Sequence, residues 1–162
     1  MDRKTALLMA AGAVIAAFAY ARVLRPRVLR WGATDQDLER PMPGDEIVAS
    51  PHFNATRAIT INATPEDIWP WLMQMGFGRA GWYSYDLLDN LGRPSSRSII
   101  PQLQSMKVGD RIPMSRWSYL TVKGFESNQW LLWQYQGGGT WAWGLYPLDG
   151  QRTRLVSRMR SR

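Results

Sequence analysis

The sequence predicts an α+β domain preceded by one apolar helix, and three features predict it. Residues 5–21 (TALLMAAGAVIAAFAYA) carry no charge at all. An alternating strand and two helical stretches follow between residues 57 and 91. From 111 to 160, short strand-like segments succeed one another with turn residues between them. One strand, helices and then an antiparallel meander make an α+β arrangement, with two helices packed on a curved sheet. The chain has 162 residues and 45 % hydrophobic content, room for one anchor and one domain with a real core. It divides into an anchor with its arginine cluster (1–30), a Pro- and acid-rich linker (31–52) and the domain (53–162).

The uncharged stretch would make about 25 Å of helix. With Val23 and Leu24 added, and Arg22 snorkelling, it reaches about 30 Å, the thickness of a bilayer's hydrocarbon core. It lacks the polar face of a helix in a soluble core. Arg3 and Lys4 with Ala19-Tyr20-Ala21 would also suit a cleaved leader. The reading taken is a retained single-pass anchor in a bacterial inner membrane. Arg22, Arg25, Arg27 and Arg30 follow the span and outnumber the cations before it, which places the domain on the cytoplasmic side. Gly12 and Ala16 form one small-xxx-small pair, and Ala13, Ala17 and Ala21 a second row. Such rows let transmembrane helices of other subunits pack closely, although alanine is also simply common in spans. Trp31 suits the headgroup level.

Much of the net charge of +7 is explained by position. Four arginines are juxtamembrane, where anionic lipid headgroups attract them, and Arg152, Arg154, Arg158, Arg160 and Arg162 crowd the far end. No nucleic-acid-binding pattern accompanies them, so nucleic acid is not an expected partner. There is no cysteine and a single histidine, His52, in the linker, so neither a metal nor another cofactor is expected.

Pro41, Pro43, Gly44 and Pro51 exclude a long helix from the linker. Asp35, Asp37, Glu39, Asp45 and Glu46 make it acidic. It is expected to be a tether that is at least partly ordered; the alternative is an extended arm lying along the domain or a partner, with Ile47 and Val48 as its only apolar grip. Residues 57–62 alternate as a strand. Thr64 caps a helix that Pro65, Glu66 and Asp67 favour, that Pro70 kinks and that Gly76 ends near Met75. Ile68, Trp69, Leu72, Met73 and Met75 supply its buried side. The glycine-rich turn 76–81 leads to a second helix near 82–91. Strands are expected near 111–115, 118–126, 129–136, 140–147 and 152–160, with turns at Asn128, at the 137–139 glycines and at Asp149-Gly150.

The block IWPWLMQMGFGRAGWYSYDLLDNLG (68–92), with LQSMKVGDRIP (103–113) and GTWAWGLYPLDGQRTRLVSRMRSR (139–162), resembles bacterial members of the START-like, helix-grip superfamily, the SRPBCC or polyketide-cyclase/dehydrase-like proteins. The resemblance covers about residues 31–162. It implies a seven-element sheet gripping a long C-terminal helix, with an apolar cavity between them for lipids, polyketides or pigment-like molecules. Here the last strand is expected to finish close to Arg162, so residues 1–162 are not expected to supply such a helix. The concave face, carrying Trp141, Trp143 and Leu145 or Leu131, Trp133 and Tyr135, would then need the first two helices, a partner or further chain to cover it.

Candidate chemistry is thin, and no catalytic residue is expected. Asp86 and Asp89 could build a carboxylate pair, although capping, or pairing with Arg79 or Arg93, is the commoner use. Tyr83 and Tyr85 could donate to a ligand carbonyl, but no general base adjoins them in sequence. The turn 76–81 lacks the lysine and the context of a phosphate loop. Candidate pocket residues are Trp69, Leu72, Met73, Trp82, Tyr83, Tyr85, Trp133, Tyr135, Trp141 and Trp143. The expected role is a non-catalytic accessory or scaffold subunit docked on the cytoplasmic side of a larger membrane complex. The alternative is a membrane-tethered binder or carrier of a hydrophobic small molecule, and a cyclase/dehydrase-like enzyme is the third.

Overall fold

The computed structural model describes residues 2–162. Met1, the first residue of the anchor segment, and the side chains of residues 6–8 lie outside the described residues. Arg3–Leu29 forms one helical rod, the only helix among the described residues long and apolar enough to cross a membrane. It comprises α1 (Arg3–Ala19), a π-helical turn (Tyr20–Leu24) and α2 (Arg25–Leu29). Pro26 explains the wide turn. It has no N–H to offer the Arg22 carbonyl and its ring would collide there, so the backbone opens by one residue just before it.

The domain is an antiparallel sheet of six strands: β1 (Phe53–Ile61), β2 (Arg111–Pro113), β3 (Tyr119–Glu126), β4 (Trp130–Tyr135), β5 (Thr140–Pro147) and β6 (Thr153–Ser161). Their order is β1-β6-β5-β4-β3-β2. The meander predicted from the turns is present, and β6 folds back to pair with β1 from Phe53↔Ser161 to Ile61↔Thr153. The first strand therefore begins four residues before the predicted 57. The sheet has six elements rather than the seven that the resemblance implies.

Helix α4 (Pro65–Gln74) lies on the inner face. Thr64 and Asp67 form a reciprocal capping box at its start, and the helix runs unbroken through Pro70. Gln104 Nε2 donates to the Pro70 carbonyl at 3.2 Å. Gly76 ends the helix at φ 138, where a Cβ would overlap the Ile112 side chain. Ile68, Trp69, Leu72, Met73 and Met75 pack against Leu120, Val122, Leu131, Trp133 and Leu145 to form the inner core.

The second helix is shorter than predicted, a single turn α5 (Asp86–Asp89). Residues 82–85 leave the helix because Tyr83 adopts φ 55 while Trp82 is drawn down onto the sheet. Tertiary packing overrides local helical preference here.

The linker takes the alternative form, an arm bound to the outer face of the sheet rather than a partly ordered tether. Its short helix α3 (Asp35–Glu39) is closed by a Thr34–Asp37 capping box. Met42 packs with Leu132, Ala142 and Val156 in a second, outer core, flanked by Ile47, Ala58, Trp130 and Tyr146. Met42 thus joins Ile47 and the buried Val48 as apolar grip. Three of the C-terminal arginines supply the polar grip. Arg154 pairs with buried Asp37 at 2.6 Å, Arg160 with Asp45 at 2.9 Å, and Arg158 with Asp45 at 2.6 Å. Arg158 is itself buried, and its remaining N–H groups reach Thr56 and the carbonyls of Asp37, Leu38 and Arg40.

Candidate functional site: an apolar trough on the inner face

Helix α4 covers only part of the concave sheet, and the uncovered part forms a trough. Because side chains alternate along a strand, Ile59 and Ile61 of β1 share this face with Leu155 and Met159 of β6 and with Trp141 and Trp143 of β5. One hollow, of about 490 Å³, lies beside α4 between Ile61, Leu155 and Trp71. A second, of about 410 Å³, lies toward the other end of the strands between Met159, Tyr135 and Met114. Met75, Trp82 and Trp143 border both, so the two are halves of one trough.

Its wall is an aromatic stack. Trp82 lies flat on Trp141 with ring centres 5.6 Å apart, and its edge meets Trp133 at 6.0 Å. Trp141 and Trp143 are 5.1 Å apart. Trp141 Nε1 donates to Ser157 Oγ at 2.8 Å, which fixes the ring. Trp143 Nε1 is buried and finds no acceptor among the described residues. Burial pushes the Tyr135 phenol up to about 12, so it stays neutral and can both donate and accept. Polar groups stand at the ends: Asp67 and Tyr83 border the first hollow, and Arg57, Ser84 and Asp89 the second. An apolar body along the floor with a polar group at a mouth is the ligand shape this lining accommodates.

Buried Gln74 braces the trough from behind, through Tyr83. It donates to the Tyr83 hydroxyl and to the Ser98 carbonyl, and its Oε1 accepts from Ile100 N at 2.9 Å. The irregular segment between α5 and β2 is thereby tied to α4. A polar residue inside an apolar helix face was the sequence signal for this hub.

Of the predicted pocket residues, Leu72, Trp82, Tyr83, Tyr135, Trp141 and Trp143 line the trough. Trp69, Met73 and Trp133 do not: they are buried inside the inner core, where α4 presses closest to the sheet. Tyr85 also does not, since it points to solvent and is 77 % exposed. Sequence reasoning missed Ile61, Met75, Leu155 and Met159, although alternation along the last strand marks Leu155 and Met159 as sharing a face.

Asp86 is engaged by neighbouring side chains, while Asp89 stands exposed at the second hollow. Asp86 accepts from Ser95 Oγ at 2.6 Å and Asn90 Nδ2 at 3.0 Å, and the Ser95 hydrogen bond holds its carboxyl below the ordinary range. Arg79 pairs with neither acid; it donates to the carbonyls of Met73, Met75 and Leu103. His52 is exposed beside β1. Among the described residues there is no cluster of three or more metal-binding side chains.

On the anchor, Gly12, Ala13, Ala16, Ala17 and Ala21 are all exposed, as are Arg22, Arg25 and Arg27. Arg22 lies 5.3 Å over the Phe18 ring, and Arg30 pairs with Asp35 at 2.5 Å. Trp31 is exposed, and its carbonyl accepts from Ala58 N on the edge strand β1 at 3.2 Å. Arg57 Nε, one residue earlier, donates to the Val28 carbonyl of α2 at 3.3 Å. The anchor therefore meets the domain at the edge of the trough.

No protein-family model and no curated protein sequence matches the chain. Several solved structures are similar to it, among them the following three. The Aha1 dimer from Colwellia psychrerythraea is 20 % identical with a TM-score of 0.43, the match covering 67 % of this chain and 75 % of that one. A conserved protein of unknown function from Enterococcus faecalis is 13 % identical, with a TM-score of 0.42 and coverage of 71 % and 63 %. A polyketide-cyclase-like protein from Corynebacterium glutamicum is 16 % identical, with a TM-score of 0.41 and coverage of 67 % and 65 %. This chain thus spans just under two thirds of the last two.

Proposed function

We propose that the protein is a non-catalytic, membrane-tethered binder of a hydrophobic small molecule. The observation that carries this reading is the trough, two apolar hollows of about 490 and 410 Å³ sharing Met75, Trp82 and Trp143. Burying apolar surface there would supply the binding energy, at about 25 cal/mol per Å² before the costs of association. The anchor holds the trough at the bilayer, where lipids, polyketides and other amphiphiles concentrate. The arginines after the span favour the cytoplasmic side of a bacterial membrane.

The test is mass spectrometry of organic extracts from the full chain purified in lipid nanodiscs, alongside a Leu155→Arg variant. An amphiphile in stoichiometric amount with the native chain, and depleted from a folded variant, is expected. Equal lipid profiles in both, with no saturable quenching of tryptophan fluorescence by added fatty acid, would overturn the reading.

A second reading, an accessory subunit of a larger membrane complex, has one observation in its favour. The small residues of α1 leave one side of the rod free for close helix contact, and a Cβ at Gly12 would meet nothing. Isolation from native membranes in mild detergent would then give a stoichiometric complex, and a lone monomer would count against it.

A further inference from the structure

We propose that the rim of the trough is a second membrane-docking surface, which seats the mouth of the trough against the headgroup region of a bilayer. It rests on the tethered reading above and not on the identity of any ligand.

The rim is made of two projections. Around α5, Tyr85, Leu87, Leu88 and Leu91 are 77 %, 77 %, 75 % and 53 % exposed, four large apolar side chains within seven residues. The hairpin between β2 and β3 carries Trp117, 87 % exposed, next to exposed Arg116. Both projections border the same hollow, because Ser84 and Asp89 on one and Met114 on the other line it. A soluble domain scatters such side chains singly; a concentration of them marks an interface.

Three observations select a lipid surface as the occupant. The mixture is that of a membrane interface: Trp and Tyr with polar ends, leucines, and arginine beside them. The charge is complementary to anionic headgroups. Arg93, Arg97 and Arg116 are exposed near the projections and Arg57 stands at the mouth. Two acids stand among them, Asp86, which accepts from Ser95 and Asn90, and exposed Asp89, which lines the mouth with Arg57, so the four arginines outnumber them. Finally, the surface is continuous with the anchor. Arg57 borders the hollow that Ser84 and Asp89 border, and it also bonds the Val28 carbonyl at the end of the rod. A tether this close turns docking into an intramolecular event with an effective concentration of about millimolar, so a small patch suffices. Side chains of this kind enter about 5–10 Å into the headgroup boundary.

The chain has no cysteine, so single labels are specific. The full chain is reconstituted in phosphatidylcholine vesicles containing phosphatidylglycerol, with an environment-sensitive fluorophore on Leu88→Cys, Trp117→Cys, Ile15→Cys or Leu148→Cys. Leu148 is an exposed residue on the turn at the opposite end of the sheet. Labels at 88 and 117 are expected to lose about half their emission or more to nitroxides at shallow acyl depth. The label at 15 should be quenched by deep nitroxides, and that at 148 by neither. In a chain that also carries Leu87→Asp, the loss at 117 should fall by about half.

Labels at 88 and 117 that stay as water-exposed as 148, while 15 is quenched, would overturn the docked rim and leave the tether standing. An unquenched label at 15 would overturn the tether and with it the proposal. Shielding at 88 that ignores lipid nitroxides and rises with protein density would assign the surface to a second copy instead, overturning the lipid assignment. Extraction of the same vesicles reads the ligand separately, so its absence with 88 and 117 quenched would remove only the ligand reading.

Discussion

Replacing Arg158 with Met should detach the linker arm from the sheet while leaving the sheet folded. The guanidinium is buried and uses all of its donors: Thr56 Oγ1 at 3.0 Å, Asp45 Oδ2 at 2.6 Å, and the carbonyls of Asp37 at 2.7 Å, Arg40 at 2.8 Å and Leu38 at 3.0 Å. Met keeps much of the apolar stem but offers no donor. Breaking a buried ion pair by removing one partner costs about 3–5 kcal/mol. The lower end applies here, because Arg160 still holds Asp45 and the freed carbonyls can reach water once the arm lifts. A loss of about 3 kcal/mol raises the open population of the arm by roughly two orders of magnitude. Domains are stable by about 5–15 kcal/mol, so the sheet survives. Hydrogen exchange on the full chain in nanodiscs reads this directly. Amides of residues 37–48 should exchange about a hundred times faster, with those of β3 and β4 nearly unchanged. Exchange in the arm within about threefold of the native chain would refute the reasoning, because the clamp would then hold no net free energy.

Four further outcomes follow from the same geometry. Burial pulls the Asp37 carboxyl up, but hydrogen bonds from Arg154 and then Thr34 outweigh it and hold it below its ordinary value. Its stabilisation is therefore fully present above the unfolded value of about 3.9 and lost as pH falls below about 4. Urea unfolding of native and Asp37→Asn chains should show that acid-dependent loss only in the native one. Gly32 sits at φ 70 with the Ala58 carbonyl where a Cβ would go, so Gly32→Ala should loosen the anchor–domain junction by about 1–3 kcal/mol, seen as faster exchange at Ala58. Gln74→Leu strips the partners from Tyr83 and Ile100 and should cost about 2 kcal/mol in denaturant midpoint, while protease sensitivity rises between residues 95 and 104. Trp143→Ala removes a half-buried ring that borders both hollows, so it should cost less than the about 3–5 kcal/mol of a fully buried tryptophan and weaken amphiphile binding about tenfold or more by fluorescence titration.

The secondary structure was legible wherever local signals agreed with tertiary ones. Thr64-Pro65-Glu66-Asp67 announces α4, and Asn128 and the 137–139 glycines announce the hairpins that the pairing confirms. It was not legible where a long-range contact decided. The stretch 82–85 runs straight into the helical turn Asp86–Asp89, yet Trp82 satisfies its ring against Trp133 and Trp141, between fifty and sixty positions away. The linker looked like a tether because the cations that pair with Asp37 and Asp45 are not local; they are Arg154, Arg158 and Arg160, more than a hundred residues later. The same arginines showed only as a crowd of charge at the far end for the same reason. Of the trough, the tryptophans were visible from composition, but which of them is core and which is wall depends on where a ten-residue helix stops across the sheet.

The two faces of the sheet divide the work of this domain. The outer face is closed by the linker, with every Arg158 donor matched and Met42, Leu132, Ala142 and Val156 excluded from water. The inner face is closed only under α4, and the rest is left as trough with Trp143 Nε1 unmatched and Ile59 59 % exposed. A small domain that left both faces open could not offset the entropy of folding. Closing the outer face with the chain that follows the apolar rod removes that constraint and lets the inner face stay accessible. Substitutions should accordingly separate. Arg158→Met should lower stability of the arm while the trough keeps its affinity for an amphiphile, and Trp143→Ala should do the reverse. If both variants lost binding and stability in the same proportion, the faces would be one cooperative unit and the trough merely an imperfection of packing.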